Sequence, residues 1–330
     1  GIIIPSWHPD TMPVDTIVPI LTACLQDSDL LAQPGNVLLV ADGSDHTHRA
    51  AQIVRNQIGG FEILVPARNQ GKGGAVAAGI ERLLNNPHIQ YIVTRDHDND
   101  HLINDTPNLV RLTAHMRRQL AGDNVMTIGR RHSIHRALGF IRGEFEWMMD
   151  EVAMAAITYA LARQAQTVNT QYWSAYDMTP DMQSGFKCYT RLTAERLLHA
   201  MQQAAEVAPG LDVLRHGAEI PVIAETMLSG GVVGEINCLS GEVPHMTTYD
   251  QAGRFEVKGT VLAWTLQRTG VPTGVARQLM LNAIARRLLA KDRKGGDDLL
   301  TLCNGVLAQL AAWRDEPVAP NTALRGSDYF

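Results

Sequence analysis

Residues 91–101 read YIVTRDHDNDH. The apolar run Tyr91-Ile92-Val93 has the character of a buried strand and leads straight into carboxylates at alternate positions, Asp96, Asp98 and Asp100. A strand projects its side chains with period two, so an extended chain here points all three carboxylates the same way from the strand's C-terminal end. Three like charges so crowded repel one another and call for a positive partner. A hard divalent cation suits, because Mg²⁺, Mn²⁺ and Ca²⁺ take oxygen ligands. The end of a parallel strand is also where open α/β sheets bind their ligands. The competing reading is an acidic, solvated turn.

Upstream of this stretch the chain alternates strands and helices at the pace of βαβ units. Ile2–Ile4 reads as a short buried strand closed by Pro5, residues 14–26 have helical spacing, and Val37–Val40 is a second buried strand. Ala41-Asp42-Gly43-Ser44-Asp45 is a turn, Thr47–Ile58 a helix and Phe61–Val65 a third strand. Asn69–Gly74 reads as a loop leading into a helix over Ala75–Leu84, and Gln90–Thr94 is the fourth strand. The polar residues that follow these strands, Ser6-Trp7, Asp42-Gly43, Arg68-Asn69 and Asp96–Asp100, therefore share one sheet edge, as in a nucleotide site.

Downstream the pattern is less regular. Helices are expected over Thr106–Leu120, Phe145–Gln164 and Ala218–Ser229, and strands over Val125–Gly129 and Val232–Leu239. Residues 168–187 read as a polar and aromatic loop. From Val257 onward the spacing is helical, interrupted at KDRKGGDD (Lys291–Asp298), and a soft boundary near 245–255 divides a region 1–245 from a helical region 246–330.

The totals narrow the function. With 330 residues the chain can bury a large core, and its net charge of −5 argues against a nucleic-acid binder that relies on a basic surface. Cys24, Cys188, Cys238 and Cys303 form no CxxC pair and read as reduced thiols of a cytoplasmic protein. The longest apolar run, about Val152–Ala162, falls short of the roughly 18–20 residues that span a bilayer. No signal-peptide pattern is present, and Gly1 directly ahead of a strand suggests a trimmed or processed end. Peripheral contact with the inner face of a membrane stays open.

The glycine-rich stretch Ala67–Ile80, ARNQGKGGAVAAGI, is neither GxxxxGK[ST] nor GxGxxG. Glycines ahead of a helix still allow a phosphate close to backbone N–H groups, with Lys72 adding a cation; the alternative is a tight loop that packs a small-residue helix on the sheet. DHDNDH is not an EF-hand either, because His101 and Pro107 stand where that loop needs Gly and Glu.

In order, IIIPSWHP (2–9), VLLVADGSDHT (37–47), NQGKGGAVAAGI (69–80), DHD (96–98), IGRR (128–131) and DMQSGFKCYTR (181–191) resemble the family 2 glycosyltransferases. The resemblance covers roughly residues 2–235, and its SGF loop looks most like the dolichol-phosphate mannose synthase branch. It departs at Ala41, where the family often has a second acid, and at Asn99-Asp100-His101, where a small residue or an apolar strand is usual.

The resemblance implies a GT-A fold, a Rossmann-like, mostly parallel sheet flanked by helices, here with a C-terminal helical extension. It implies transfer of a sugar from a UDP- or GDP-linked donor with Mn²⁺ or Mg²⁺. Pro5, Ser6 and Trp7 would line the base and ribose pocket, Asp42 would accept from base or ribose, and Lys72 would lie near the nucleotide. Asp96 and Asp98 would form the DxD, with Asp98 the better metal ligand, and Arg130 or Arg131 would neutralise phosphate oxygens. Ser184, Gly185 and Phe186 would shape the acceptor side, and His245 could complete the metal shell.

The chemistry agrees. Expelling a nucleoside diphosphate builds charge on the leaving oxygen, which a divalent ion stabilises as a Lewis acid. A hydroxyl acceptor also needs a base within hydrogen-bond reach, for which Asp181, Glu219 and Glu225 are the candidates. A lipid-phosphate acceptor would need none, so a soluble saccharide or small molecule and a polyprenyl phosphate both remain open. His132 and His135 are weaker candidates for the donor phosphates. Arg286, Arg287, Lys291, Arg293 and Lys294 read as a solvated basic face, or as one that meets anionic lipid or a partner, and a homo-oligomer is left open. A sugar nucleotidyltransferase would carry its glycine loop after the first strand, where PSWHPD stands instead. A calcium or partner-binding domain would leave Asp42 and the glycine loop unexplained.

Overall fold

A computed structural model describes residues 1–131, 140–174, 179–239 and 258–317. The first half follows the expected alternation: β1 (Ile2–Ser6), α1 (Val14–Leu25), β2 (Val37–Ala41), α2 (Asp45–Ile58), β3 (Glu62–Leu64), α3 (Gly71–Leu84), β4 (Tyr91–Thr94) and α4 (Thr106–Gln119). Then come β5 (Val125–Arg131), α5 (Phe140–Ala162), β6 (Lys187–Thr190), α6 (Arg191–Gln202) and the one-turn helices α7 (Ala204–Val207) and α8 (Val213–His216). The described chain continues with α9 (Ile220–Leu228), β7 (Val232–Cys238), α10 (Thr260–Arg268), α11 (Thr273–Ala285) and α12 (Arg293–Arg314).

Seven strands form one sheet in the order β3-β2-β1-β4-β6-β5-β7. All run parallel except β6, which is antiparallel to both β4 and β5. The buried strands β1 and β2 send alternate residues to opposite faces, the period-two rule at work on a sheet covered on both sides. Ile3, Leu38 and Val40 join the core that includes α3, α5, α9 and α10, whereas Ile2, Ile4, Val37 and Leu39 join the core beneath α1 and α2. Leu262, Trp264, Leu302 and Leu310 of the C-terminal helices belong to the first of these cores. The expected mostly parallel sheet flanked by helices is what the chain forms.

Several local expectations need correction. Helix α3 begins at Gly71, so the glycines form its first turn and not a preceding loop. The KDRKGGDD segment starts a helix: Asp292 caps α12 by accepting from Gly295 N–H at 2.9 Å. Helix α6 follows the RLTAERLLHA sequence directly after β6, capped by the Thr190 hydroxyl, and neither element is expected from periodicity, because β6 is only four residues long.

Candidate active site

The reversed direction of β6 builds the site. Its preceding loop, Asp181–Phe186, arrives at the same sheet edge as the C-terminal ends of β1, β4 and β5. There Gly185 meets Asp96 so closely that a Cβ would stand 2.3 Å from Asp96 Oδ2. Lys72, in the first turn of α3, places Nζ 2.7 Å from Asp96 Oδ1 and 2.7 Å from Glu219 Oε1. The three side chains are 30%, 25% and 16% exposed. Burial opposes the charge on Lys72, but Asp96 and Glu219 outweigh it and raise its pKa. Burial likewise would raise Asp96, yet Lys72, with His101, holds it well below the usual carboxylate range.

The acidic stretch is not extended. Strand β4 ends at Thr94, and Asn99 turns the chain with φ +64°. Asp98 is exposed and accepts from Asp100 N–H at 3.2 Å. Asp100 Oδ1 is buried without a hydrogen-bond partner. Burial, together with Asp98 and Asp96, pushes the Asp100 carboxyl up to about 7, against the pull of Arg142 and Arg131. Beside the turn, His97 Nδ1 lies 3.1 Å from Pro5 O, so that nitrogen carries the proton. His97 meets His8 edge-on at 4.6 Å, and burial followed by His97 pushes His8 down to about 3. Ser6 Oγ is buried at the end of β1 and has no hydrogen-bond partner.

These features bear on a metal. Among the described residues no three His, Cys, Asp or Glu converge as a ready cage. The orphaned Asp100 oxygen and the exposed Asp98 nonetheless leave two carboxylates of the acidic turn without a cation in hydrogen-bond contact among the described residues. That donor set fits Mg²⁺ or Mn²⁺ held by one or two carboxylates and completed by phosphate oxygens.

Other expected site residues are spent elsewhere. Asp42 is buried, and its oxygens accept Gln70 N–H at 2.9 Å and Gly71 N–H at 2.8 Å, so it anchors the start of α3 where a base or ribose contact was expected. Gly71 and Gly73 serve packing: a Cβ on Gly73 would stand 2.2 Å from Leu214 O, and one on Gly71 2.3 Å from the Arg215 Cα, because α8 crosses there. Arg131 grips Asp181 through Nε at 2.8 Å and Nη2 at 2.6 Å and also reaches Glu146 at 3.0 Å. Arg130 pairs with Glu235. Both guanidiniums, expected on phosphate, face carboxylates instead.

Burial would raise the Asp181 carboxyl, but Arg131 outweighs it and lowers its pKa. Glu225 pairs with Arg268 and lines a small apolar cavity beside Trp264, so it is not brought to this site. Ser184 and Phe186 are buried: the Ser184 hydroxyl donates to Gly129 O at 2.7 Å, and Phe186 stacks on His101. They anchor the SGF loop against β5 and His101. Arg287, expected on a basic face, is buried against Trp147 and Glu151. His132, His135 and His245 lie outside the described residues.

Sequence reasoning missed two groups. Lys187 is fully buried, donates to Ser184 O and Met182 O, and burial pushes its pKa down to about 8. Arg95, also buried, sits under the acidic turn. A charged residue inside an apolar strand flank was the available signal for each.

In comparison with solved structures, the chain is similar to CMP:2-keto-3-deoxy-manno-octonic acid synthetase complexed with CTP, with 13% identity over 73% of this chain and 90% of that one, TM-score 0.39. It is similar to S. aureus TarS, with 10% identity over 94% of this chain and 43% of that one, TM-score 0.38. Against TarS 1–349 the identity is 11% over 95% and 90%, TM-score 0.39. No curated protein matches the chain. The profile described as glycosyl transferase family 2 matches residues 3–182, a span that holds β1 through β5 and the acidic turn. The chain belongs to glycosyl transferase family 2.

Proposed function

We propose that this glycosyltransferase moves a sugar from a nucleoside-diphosphate sugar to a hydroxyl of a saccharide or small molecule. The observation that carries the reading is the constellation at the sheet edge, where Lys72 bridges Asp96 of the acidic turn and Glu219 of α9's N-terminus. Ser6 ends β1, the sheet neighbour of β4, and its unpartnered hydroxyl supports a polar ligand there, which Pro5 and Trp7 would help to line. Asp98, with the donor's own phosphates, would hold Mg²⁺ or Mn²⁺. Such an ion, when bound, stabilises charge on the departing diphosphate.

In this reading the acceptor oxygen attacks the anomeric carbon, the bond to the diphosphate oxygen breaks, and the hydroxyl proton passes to Glu219. Glu219 is the one of the three candidate bases that shares its cation, Lys72, with Asp96 of the acidic turn. Lys72 orients both carboxylates, and Gly185 gives Asp96 room. Residues 1–245 would be the catalytic region and 246–330 a helical region behind it. Four buried free cysteines suit a reducing compartment such as the cytoplasm. Among the described residues no helix is long and apolar enough to cross a membrane.

The test is melting temperature against UDP and GDP with and without Mn²⁺, since a ligand of the folded state raises it by mass action. A metal-dependent shift lost in Asp98→Ala is the expected result; no shift with either nucleotide overturns the reading. Retained turnover in Glu219→Gln would instead point to an acceptor that is already ionised, such as a polyprenyl phosphate.

A further inference from the structure

The acidic turn is closed around a side chain that belongs to neither the DxD nor the sheet. Arg95 directly follows β4, its N–H donating to Ile3 O at 3.0 Å, and it is 1% exposed. From one plane the guanidinium reaches three places. Nε donates to His101 O at 2.7 Å, at the far end of the turn. Nη2 donates to Asn99 Oδ1 at 2.5 Å, at the left-handed residue. Nη1 donates to Cys24 O at 2.6 Å, in the last turn of α1, where the helix presents unpaired carbonyls and partial negative charge. Cys24 Sγ adds a contact at 3.5 Å to Asp96 O.

All three acceptors are neutral. Burying a guanidinium costs several kcal/mol even after relaxation, a cost that an apolar residue at this position would not incur. What the guanidinium supplies is direction, because its fixed fork can hold three acceptors at once in a way that a lysine cannot. It also leaves positive charge under a turn that carries Asp96, Asp98 and Asp100.

We propose that Arg95 is a positioning residue: its guanidinium, acting through Asn99 and His101 O, sets where the carboxylates of Asp96 and Asp98 stand. The part of this that concerns donor binding rests on the function proposed above, whereas the part that concerns the turn does not.

The test is a double-mutant cycle on Arg95→Lys and Asn99→Gly, in the full chain, with two readouts. Glycine keeps the left-handed backbone while removing the acceptor, so Asn99→Gly folds even if Arg95→Lys does not. The first readout is amide hydrogen exchange of residues 96–102. Each single variant is expected to speed it about ten- to hundredfold, the equivalent of one charge-assisted hydrogen bond, while α3 and the rest of the sheet stay protected. Glycine's own freedom would add its effect independently of Arg95, so the double variant decides: it should match the single ones. Asn99→Asp, which keeps an acceptor oxygen and tolerates the left-handed region, should restore protection.

The second readout is Mn²⁺-dependent affinity for UDP or GDP, expected to fall about tenfold in Asn99→Gly with little change in melting temperature. Unchanged exchange in both single variants, or effects that simply add, overturns the role of Arg95. A wild-type chain that binds neither nucleotide counts against the proposed donor site, and the exchange cycle alone then decides the role of Arg95.

Discussion

Two charged constellations occupy the same sheet edge, and they differ in how much water they see. Lys72, Asp96 and Glu219 are 30%, 25% and 16% exposed, whereas Arg131, Asp181, Glu146 and Lys258 are 8%, 4%, 1% and 8% exposed. The first is partly open to solvent, so a ligand can reach its charges. In the second, each charge depends on the others: Lys258 Nζ lies 2.9 Å from Glu146, which Arg131 and Arg142 also contact. Glu146 is consequently held well below the usual carboxylate range, with burial outweighed by Lys258 and Arg131. The difference separates charges that solvent reaches from charges packed into the protein.

Breaking the exposed constellation should affect rate and spare stability. Glu219→Gln is expected to lower kcat about 10²- to 10⁴-fold, the usual contribution of a general base, with a melting temperature near that of wild type. Turnover measured beside a melting curve checks this, and a large loss of stability would assign Glu219 to the structural set. Breaking the buried constellation should do the reverse. Asp181→Ala leaves Arg131 buried without its bidentate partner and should cost about 3–5 kcal/mol in denaturant unfolding.

Gly185→Ala probes the contact between the SGF loop and the acidic turn. Because a Cβ there would strike the end of the Asp96 carboxylate and not backbone, the fold should survive while Asp96 is displaced from Lys72. The expected result is a fall of about tenfold in metal-dependent nucleotide affinity, measured by titration.

Acid should act on the molecule in two steps. His8 is pushed down to about 3 in the native state, against an ordinary value near 6.5, so the unfolded chain binds a proton that the native one refuses. Its contribution is therefore present above about pH 6.5 and is lost progressively as pH falls below that value. Glu146 and Asp181, both lowered, contribute above about pH 4 and lose that contribution below it. His8→Gln should flatten the stability profile between about pH 6.5 and 4 and leave the steeper loss below it. The smallest effect expected is that of Glu225→Gln, which removes a partly exposed pair with Arg268: about 0–1 kcal/mol, with unchanged turnover.

What could be read in advance was local and periodic. The strands Ile2–Ile4, Val37–Val40 and Tyr91–Thr94 announce themselves as short apolar runs, and their helices by spacing and caps. Those runs, with the glycine helix and the acidic stretch in order, carry the α/β architecture and the family. The demand of Asp96, Asp98 and Asp100 for a cation could also be read, since charge repulsion needs no coordinates.

Only the tertiary structure shows that the chain supplies two cations of its own, Lys72 from 24 residues upstream and Arg95 from beneath. It alone shows that Asp181 meets Arg131, Glu219 meets Lys72 and Glu225 meets Arg268, because those cations come from distant elements. It alone shows that Gly71 and Gly73 make room for α8. The physical reason is common to these cases. Periodicity records which way a side chain points along its own element, while burial, ion pairing and close approach depend on a neighbour that the local sequence does not name.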